Sequence, residues 1–246
     1  MSSLYQILNI ARQSMMARMQ DLDNTSNNLA NVNTTGYKSS RANFQELLSN
    51  ANQMSGVELR STQLMQGAGA VQTTLNNLDL SITGEGFFQV KLANGTLAYT
   101  RSGQFGLDAQ SRIVTPDGNQ LVWSGTVPAG AQNVLVSNNG EVSAEVNGVR
   151  TTLGTLQLAR FSNPGALLVK GNSLYAPSDA SGTATTGAPG TGNFGSLRAN
   201  SLEQSNVNVA LEMTHLITVQ RSFQVSSKAF QQADTMMQEA IQMRKA

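Results

Sequence analysis

Cysteine is absent from the 246-residue chain, and histidine occurs once, at position 215. Without thiols the protein cannot form a disulfide framework, a cysteine nucleophile or a thiolate metal site. A single histidine cannot supply a conventional zinc site or a histidine-based catalytic triad, and His215 falls inside an apolar helical pattern that favours a packed or solvent-facing side chain. The sequence therefore predicts no metal, no cofactor and no enzyme active site.

Charged residues are also few, since they make up 13% of the chain with a formal net charge of +1. The basic residues are scattered and would not steer a polyanion, so nucleic acid is not an expected partner. Long apolar runs are missing as well. Residues 166–169 form one of the longest, far short of the roughly 20 residues that a membrane-spanning helix requires. Membrane insertion is therefore not expected.

No cleavable targeting segment is visible, because the first basic residue, Arg12, follows the first apolar residues instead of preceding them. Taken alone, this pattern predicts a cytosolic protein. That prediction holds only if every exported protein carries a cleaved signal.

Apolar residues repeat at heptad spacing near both ends of the chain. Residues 209–244 predict a helix of roughly 50 Å with a seam for a second helix, and residues 8–29 carry a similar seam. The seam positions are Val209, Leu216, Phe223, Phe230 and Met237 near the C-terminus, with Met213, Val219, Ala233 and Ala240 in the turns between them, and Leu8, Met15, Leu22 and Leu29 near the N-terminus. We expect the two helices to pair as a coiled coil, with the middle of the chain as an insertion.

A stripe of Leu, Met and Phe is usually core, so the simplest interpretation is an intramolecular helical hairpin. The long helix, however, also has an uncharged flank formed by Gln220, Gln224, Gln231, Gln232, Gln238 and Gln242. Charged flanks would repel when identical copies pack side by side, whereas glutamines can hydrogen-bond between copies. The composition therefore favours packing of the hairpin into a larger bundle.

Asparagines cluster where the first helix is predicted to end. Asn27, Asn28 and Asn31 precede Gly36, and a helix C-terminus followed by a turn is the ordinary interpretation of this pattern. Two of these asparagines share a helix face. We therefore also predict a contact surface between copies at these three residues.

Residues 26–38, with four asparagines before the glycine, resemble the asparagine-rich signature of the flagellar rod and hook proteins, the axial components of the bacterial flagellum. Further segments resemble the same family in the family's own order, namely residues 82–90, 99–105, 205–210 and 220–223. Within the family, the pattern is most similar to the distal rod members, with the proximal rod members next.

The resemblance implies a structural subunit that assembles with copies of itself and with other axial proteins of the rod and hook, and that contacts the surrounding rings. Head-to-tail repetition would build a helical tube that transmits torque from the motor to the hook. The resemblance also implies type III export with an uncleaved N-terminal region, to the rod that spans the periplasm. The alternatives are a proximal rod or hook-type axial protein and, outside the family, a non-enzymatic coiled-coil binding module.

From about residue 76 the apolar pattern becomes alternating, which is typical of half-buried strands. Four Asn-Gly or Asp-Gly pairs, at residues 94–95, 117–118, 139–140 and 147–148, predict tight hairpin turns. Such closely spaced hairpins predict an antiparallel sandwich or open barrel.

The predicted fold class is α+β. Residues 1–35 and 203–246 form the terminal-helix domain, residues 36–75 an extended linker, and residues 76–202 the antiparallel β domain. In the linker, residues 44–48 are expected to form a short helical turn. In the β domain, residues 178–195 are expected to form a flexible exposed loop, because they contain few large apolar residues.

Overall fold

The computed structural model describes residues 2–47 and 56–245. The chain forms two compact units. The helix unit is drawn from residues 1–30, 40–63 and 208–246, and the β unit from residues 31–39 and 64–207. The predicted α+β class is confirmed. Within the described residues, no helix is both long enough and apolar enough to cross a membrane.

Two long helices, α1 (Ser2–Ala30) and α2 (Val209–Lys245), dominate the helix unit. Among the described side chains, two polar contacts join the helices. Asn28 Nδ2 donates to Glu212 Oε1 at 3.3 Å, and His215 Nε2 lies 3.2 Å from Asp21 Oδ1. Because the contact positions rise along α1 while they fall along α2, the helices run antiparallel.

The start of α2 is capped by Asn208. The Asn208 side-chain oxygen accepts hydrogen bonds from the backbone N–H groups of Ala210 at 3.1 Å and Leu211 at 3.2 Å. These are two of the donors that the first turn of a helix leaves without an intrahelical partner, so the cap fixes where α2 begins.

A strand pair follows α1 in the chain. Strands β1 (Ser40–Leu47) and β2 (Gly56–Leu64) form a two-stranded sheet, most of which belongs to the helix unit. The helical turn predicted at residues 44–48 is therefore wrong through Leu47, and Leu48 lies outside the described residues. Pairing with β2 overrides the helical preference of the local sequence. The stretch predicted as one linker, residues 36–75, is instead divided between the two units.

The β unit is built from short strands. They are β3 (Val71–Thr73), β4 (Leu80–Thr83), β5 (Phe88–Lys91), β6 (Leu97–Thr100), β7 (Gly106–Leu107), β8 (Ile113–Val114), β9 (Gln120–Leu121), β10 (Gln132–Val136), β11 (Glu141–Val146), β12 (Val149–Thr155), β13 (Leu158–Arg160), β14 (Leu168–Gly171), β15 (Leu174–Ala176), β16 (Thr185–Gly187), β17 (Ser196–Ala199) and β18 (Ser201–Glu203). A single 3₁₀ turn occurs among these described elements, at Pro164–Ala166.

Seven of these strands form one sheet in the order β14-β15-β6-β5-β9-β8-β7, and β10-β11-β12 form another. Strands β13-β16, β17-β4 and β18-β3 pair separately. These pairings are antiparallel. The four predicted turns join β5 to β6, β8 to β9, β10 to β11 and β11 to β12, which confirms them. At the last turn, Asn147 and Gly148 both have positive φ, +53° and +79°, as a two-residue type I′ turn requires.

Two apolar clusters form the core of the β unit. The larger contains fully buried residues such as Phe88, Val142 and Leu158, and the smaller is organised around the ring of Phe87. Phe87 contacts Phe161 and Tyr175 edge-to-face, with ring centroids 5.9 Å and 5.8 Å apart. Edge-to-face pairs add to the stabilisation that comes from burial alone.

The segment predicted as an exposed loop, residues 178–195, contains a strand and, outside that strand, a buried serine. Strand β16 pairs antiparallel with β13, in a register that places Arg160 opposite Thr185. Ser181 is 0% exposed and hydrogen-bonds to the backbone of Ser178. The loop prediction is wrong for these residues, because backbone pairing and a small buried hydroxyl need no large apolar side chains.

Candidate functional site

Lys38, the last residue of the asparagine-rich segment, is buried in the β unit. Its Nζ atom lies 2.6 Å from Glu203 Oε1 and donates a second hydrogen bond to the Gly67 carbonyl at 2.8 Å. The Lys38 and Glu203 side chains are each 1% exposed. Charged hydrogen bonds are strong where water is excluded, whereas an unpaired buried charge is costly. Removal of either side chain would therefore leave the other without this buried charge partner.

Arg101, which follows β6, also faces Glu203. Its Nη1 atom lies 3.5 Å from Glu203 Oε2, and Nη2 donates to the Gly84 carbonyl at 2.7 Å. The guanidinium carbon lies 5.4 Å from the centroid of the Phe87 ring, within cation–π range. Two cations thus share one carboxylate, and carbonyl oxygens and an aromatic face stabilise the excess positive charge.

Gly36 brings the backbone into the same contact. Its N–H donates to the Glu203 carbonyl at 2.7 Å, and its φ is +68°. A Cβ atom at this position would lie 2.3 Å from the backbone nitrogen of Ser102. Only glycine combines this left-handed backbone with so close an approach. The glycine predicted as a helix-end turn is thus required by tertiary packing as well.

Asn206 joins two further segments through its side-chain amide. Its Oδ1 accepts the Ser39 N–H at 2.7 Å, and its Nδ2 donates to the carbonyls of Met65 and Gly67 at 3.0 Å each. The backbone closes the same contact, because the Met65 N–H donates to the Ser39 carbonyl at 2.8 Å. The Asn206 amide therefore holds the segment at Ser39 and the segment at residues 65–67 against its own segment.

We refer to Gly36, Lys38, Arg101, Glu203 and Asn206 as the signature cluster. Four of them lie in segments that resemble the flagellar family, and Glu203 lies just before one of these segments, which begins at residue 205. The sequence drew attention to the segments but not to their contact, because Lys38 and Glu203 are 165 positions apart. The one available signal was the presence of Lys38 and Arg101 in otherwise weakly charged motifs.

Electrostatics explain why the signature cluster must remain complete. Burial lowers the pKa of Lys38, and the Glu203 carboxylate opposes that change. Burial likewise lowers the pKa of Arg101, again opposed by Glu203. The nearby Tyr175 hydroxyl is buried as well, which raises its pKa to about 12. This arrangement is suited to holding chain segments together.

The predicted assembly residues lie on the helices and are only partly covered. Leu8, Met15, Leu22 and Leu29 on α1, and Leu216, Phe230 and Met237 on α2, are all half-buried. Phe223 and Val209 remain 38% and 39% exposed. The residues that are fully buried are mostly small or polar, namely Ala11, Ala17, Asp21, Thr25 and Asn28 on α1, and Val219 and Ala233 on α2. The described helix unit therefore leaves much of both apolar seams accessible.

The three predicted asparagines differ in their surroundings. Asn28 is 3% exposed, Asn31 is half-buried and accepts a hydrogen bond from Thr34 Oγ1 at 3.1 Å, and Asn27 is exposed. Asn28 is hydrogen-bonded to Ser40 and Glu212 within the helix unit. Its amide therefore has a role inside the subunit that the helical spacing did not reveal.

A second apolar stripe runs along α2, away from the seam. It consists of Leu211, Val225, Met236 and Met243, which are 69%, 67%, 53% and 76% exposed. Their separations of 14, 11 and 7 residues place them on one face of a helix with 3.6 residues per turn. The six glutamines of the predicted flank are all exposed too. The surface of α2 thus has an apolar face and an uncharged polar face in addition to its seam.

Within residues 2–47 and 56–245, no cluster of three or more His, Asp or Glu side chains has the geometry to hold a metal ion. The histidine, His215, forms a helix-to-helix contact with Asp21 at 3.2 Å.

Comparison with known proteins assigns the class. Three family models match in order: "Flagella basal body rod protein" at residues 8–38, "Flagellar hook protein FlgE/F/G D1 domain" at residues 81–144, and "Flagellar basal body rod FlgEFG protein C-terminal" at residues 198–243. Lys38, Arg101 and Glu203 fall one in each matched region. The chain thus has the arrangement of the flagellar rod and hook proteins.

Individual relatives show to which family within this class the chain belongs. The chain is 36% identical to the flagellar basal-body rod protein FlgG of Caulobacter vibrioides, with 97% of this chain and 99% of that protein covered. The corresponding values are 36%, 93% and 95% for FlgG of Agrobacterium fabrum, and 34%, 91% and 93% for FlgG of Bacillus subtilis. The chain belongs to the FlgG family of flagellar basal-body rod proteins.

Proposed function

We propose that this chain is a structural subunit of the distal rod of the bacterial flagellum, and that it assembles with copies of itself into a helical tube that transmits torque from motor to hook. The observation that carries the proposal is the surface of α2. Four large apolar side chains on one face are more than half exposed, a pattern that marks an interaction surface in a soluble domain. The family of the chain indicates which assembly this surface serves.

The two helices pair as a coiled coil in this proposal. The less exposed positions of α2 include Glu212, Leu216, Val219, Ser226, Phe230, Ala233 and Met237. Together with Phe223 they follow the alternating three- and four-residue spacing of a heptad seam. Half-buried leucines on α1 face the solvent in part, and neighbouring subunits would complete their burial. The assembly interface therefore comprises the residues predicted on both seams together with the exposed stripe of α2.

The surroundings of the subunit follow from the same proposal. Its partners are copies of the chain, the adjoining rod and hook proteins and the rings around the rod. The subunit reaches the periplasm-spanning part of the basal body through the flagellar type III apparatus, with its N-terminal region uncleaved. A chain without cysteine forms no disulfide that would hinder passage in an unfolded state.

Substitution of the exposed stripe tests the proposal. Val225→Asp places a charge on a residue that is 67% exposed, so the subunit should fold normally, whereas packing against a neighbour would bury that charge. In cells whose only copy of the gene carries this change, we expect normal subunit levels, no complete rods by electron microscopy and no swimming. Val149→Asp on β12, where the side chain is 65% exposed, is the matched control. Normal rods with Val225→Asp would refute the role given to this stripe.

A further inference from the structure

The chain passes between its two units four times, at residues 30/31, 39/40, 63/64 and 207/208. The contacts of the signature cluster lie close to three of these passages, on the β-unit side. Lys38 and Ser39 precede the second passage, Met65 and Gly67 follow the third, and Glu203 and Asn206 precede the fourth. Segments that are distant in sequence are therefore bound together where each enters or leaves the β unit.

The bonds between these segments are numerous, and the Lys38–Glu203 pair among them is buried. Asn206 bonds to Ser39, Met65 and Gly67, and the Asn206 N–H donates to the Tyr37 carbonyl at 3.4 Å. Glu203 Oε1 accepts from Lys38 Nζ and, at 3.0 Å, from the Gly69 N–H. Each of the three segments is thus bonded to both of the others.

We infer that the signature cluster is a mechanical clamp, which makes the three segments yield together when force reaches the β unit along any one of them. A force on a single segment would otherwise open strand pairs one after another. With the clamp closed, the Lys38–Glu203 pair and the Asn206 amide must break before a segment can leave. Buried charge-assisted bonds suit this task, because water does not compete for their partners. The inference rests on the proposed rod function only for the origin of the force.

The absence of cysteine makes a direct measurement possible, because two introduced thiols are unique attachment points. Handles at Asn33→Cys and Val207→Cys in the full-length chain would pull on the two outer segments of the clamp. Single-molecule extension then measures the force of the first rupture. Force can also pass between these two positions through the helix unit, because α1 precedes Asn33 and α2 follows Val207 in the chain. The helix unit is identical in all variants, so a difference in rupture force reports the signature cluster.

Lys38→Met should shift the first rupture to lower force, and Asn206→Ala should do the same without removing a charge. The matched control is Arg112→Gln, which breaks an ion pair with Asp108 of equal length, 2.6 Å, whose side chains are 52% and 17% exposed. We expect no shift for this control. The fluorescence of the single tryptophan, Trp123, shows whether each variant is folded before it is pulled. Should Lys38→Met fail to fold, Asn206→Ala decides the question.

An unchanged rupture force in the folded cluster variants would overturn the inference, as would an equal fall in the control. A second measurement links the clamp to the cell. Cells with Asn206→Ala should swim normally in dilute buffer and lose more filaments than wild-type cells in viscous medium. If the rupture force falls while filament retention is unchanged, the clamp exists but the rod does not depend on it. If the chain is not a rod subunit, Val225→Asp as well as Asn206→Ala leaves swimming and filament retention unchanged, although the rupture force of Asn206→Ala still falls.

Discussion

The side chain of Asn28 pairs with both backbone groups of Ser40, donating from Nδ2 to the carbonyl and accepting the N–H on Oδ1, each at 2.9 Å. Asn28 therefore takes the place of a neighbouring strand at the first residue of β1. It also donates to Glu212 in the first turn of α2. Within the helix unit, one buried amide holds the end of α1, the start of β1 and the start of α2.

Replacement of Asn28 by Ala should destabilise the helix unit by about 1–3 kcal/mol, because partly buried groups of Ser40 lose their partners. Urea unfolding of the purified chain, followed by far-ultraviolet circular dichroism, would measure this loss. Asn33→Ala is the control, since Asn33 is exposed in the turn after α1. Equal effects of the two substitutions would argue against a special role for the Asn28 amide.

Asn28 also shows where sequence reasoning reached its limit. Helical spacing correctly predicted α1, and it grouped Asn28 with Asn27 and Asn31 as a surface between copies. The bond to Glu212 spans 184 positions, and no local pattern reports such a contact. The β-hairpins, by contrast, were predictable, because a turn and both of its strands lie within about fifteen consecutive residues.

Strands β11 and β1 show the same difference between a local pattern and a contact with a distant segment. The strand at Glu141–Val146 can be predicted from the sequence, because its alternating pattern is bounded by the Asn-Gly turns predicted at residues 139–140 and 147–148. The sequence beside strand β1 contains no Asn-Gly or Asp-Gly pair, and the strand depends on pairing with β2, so residues 44–47 within it were interpreted as part of a helical turn. The Lys38–Glu203 pair is the extreme case, because nothing near either residue indicates the other.

The charges of the signature cluster predict which substitution in it destabilises the β unit more. Lys38, Arg101 and Glu203 together carry a net charge of +1. Lys38→Met leaves one cation and one anion, whereas Glu203→Gln leaves two buried cations without a carboxylate. We expect both changes to destabilise the β unit, by roughly 3–5 kcal/mol for loss of a buried partner, and Glu203→Gln more than Lys38→Met. Denaturant unfolding followed by Trp123 fluorescence measures both, and the opposite order would contradict this electrostatic account.

Gly36→Ala should destabilise the β unit through two effects, a strained left-handed backbone and a collision with Ser102. The left-handed conformation alone costs an L-residue roughly 1–2 kcal/mol. Gly118→Ala measures the cost of the left-handed backbone alone, since Gly118 has φ +80° and a Cβ there would meet nothing within 4 Å. In thermal unfolding, we expect Gly36→Ala to lower the midpoint further than Gly118→Ala. Matching midpoints would show that Ser102 can move away at little cost.

Because the Tyr175 hydroxyl is buried, we expect the chain to lose stability at alkaline pH. Burial raises its pKa from 10.0 to about 12, so between these values the folded chain retains a proton that the unfolded chain releases. Stability from this group is complete below pH 10 and falls as pH rises to about 12, by up to roughly 3 kcal/mol.

Unfolding of wild-type and Tyr175→Phe chains at pH 9 to 12 would isolate this contribution. The lowered pKa of Lys38 acts in the opposite sense, since it makes stability rise with pH as pH approaches 10.5. Both chains retain Lys38, so the difference in their pH dependence reports Tyr175. The decline should be shallower in Tyr175→Phe. Parallel pH profiles would show that the buried hydroxyl does not ionise in this range.

The seam of α2 offers the last prediction, because Phe223 and Phe230 are seven residues apart on its apolar side, 38% exposed and half-buried respectively. Asp at both positions puts two charges where α1 and neighbouring copies are proposed to pack, so we expect loss of swimming while the hook protein is still synthesised. Lys228→Asp, at an exposed polar position between them, controls for added negative charge on the helix. Swimming cells carrying both substitutions would show that this seam is not needed for assembly.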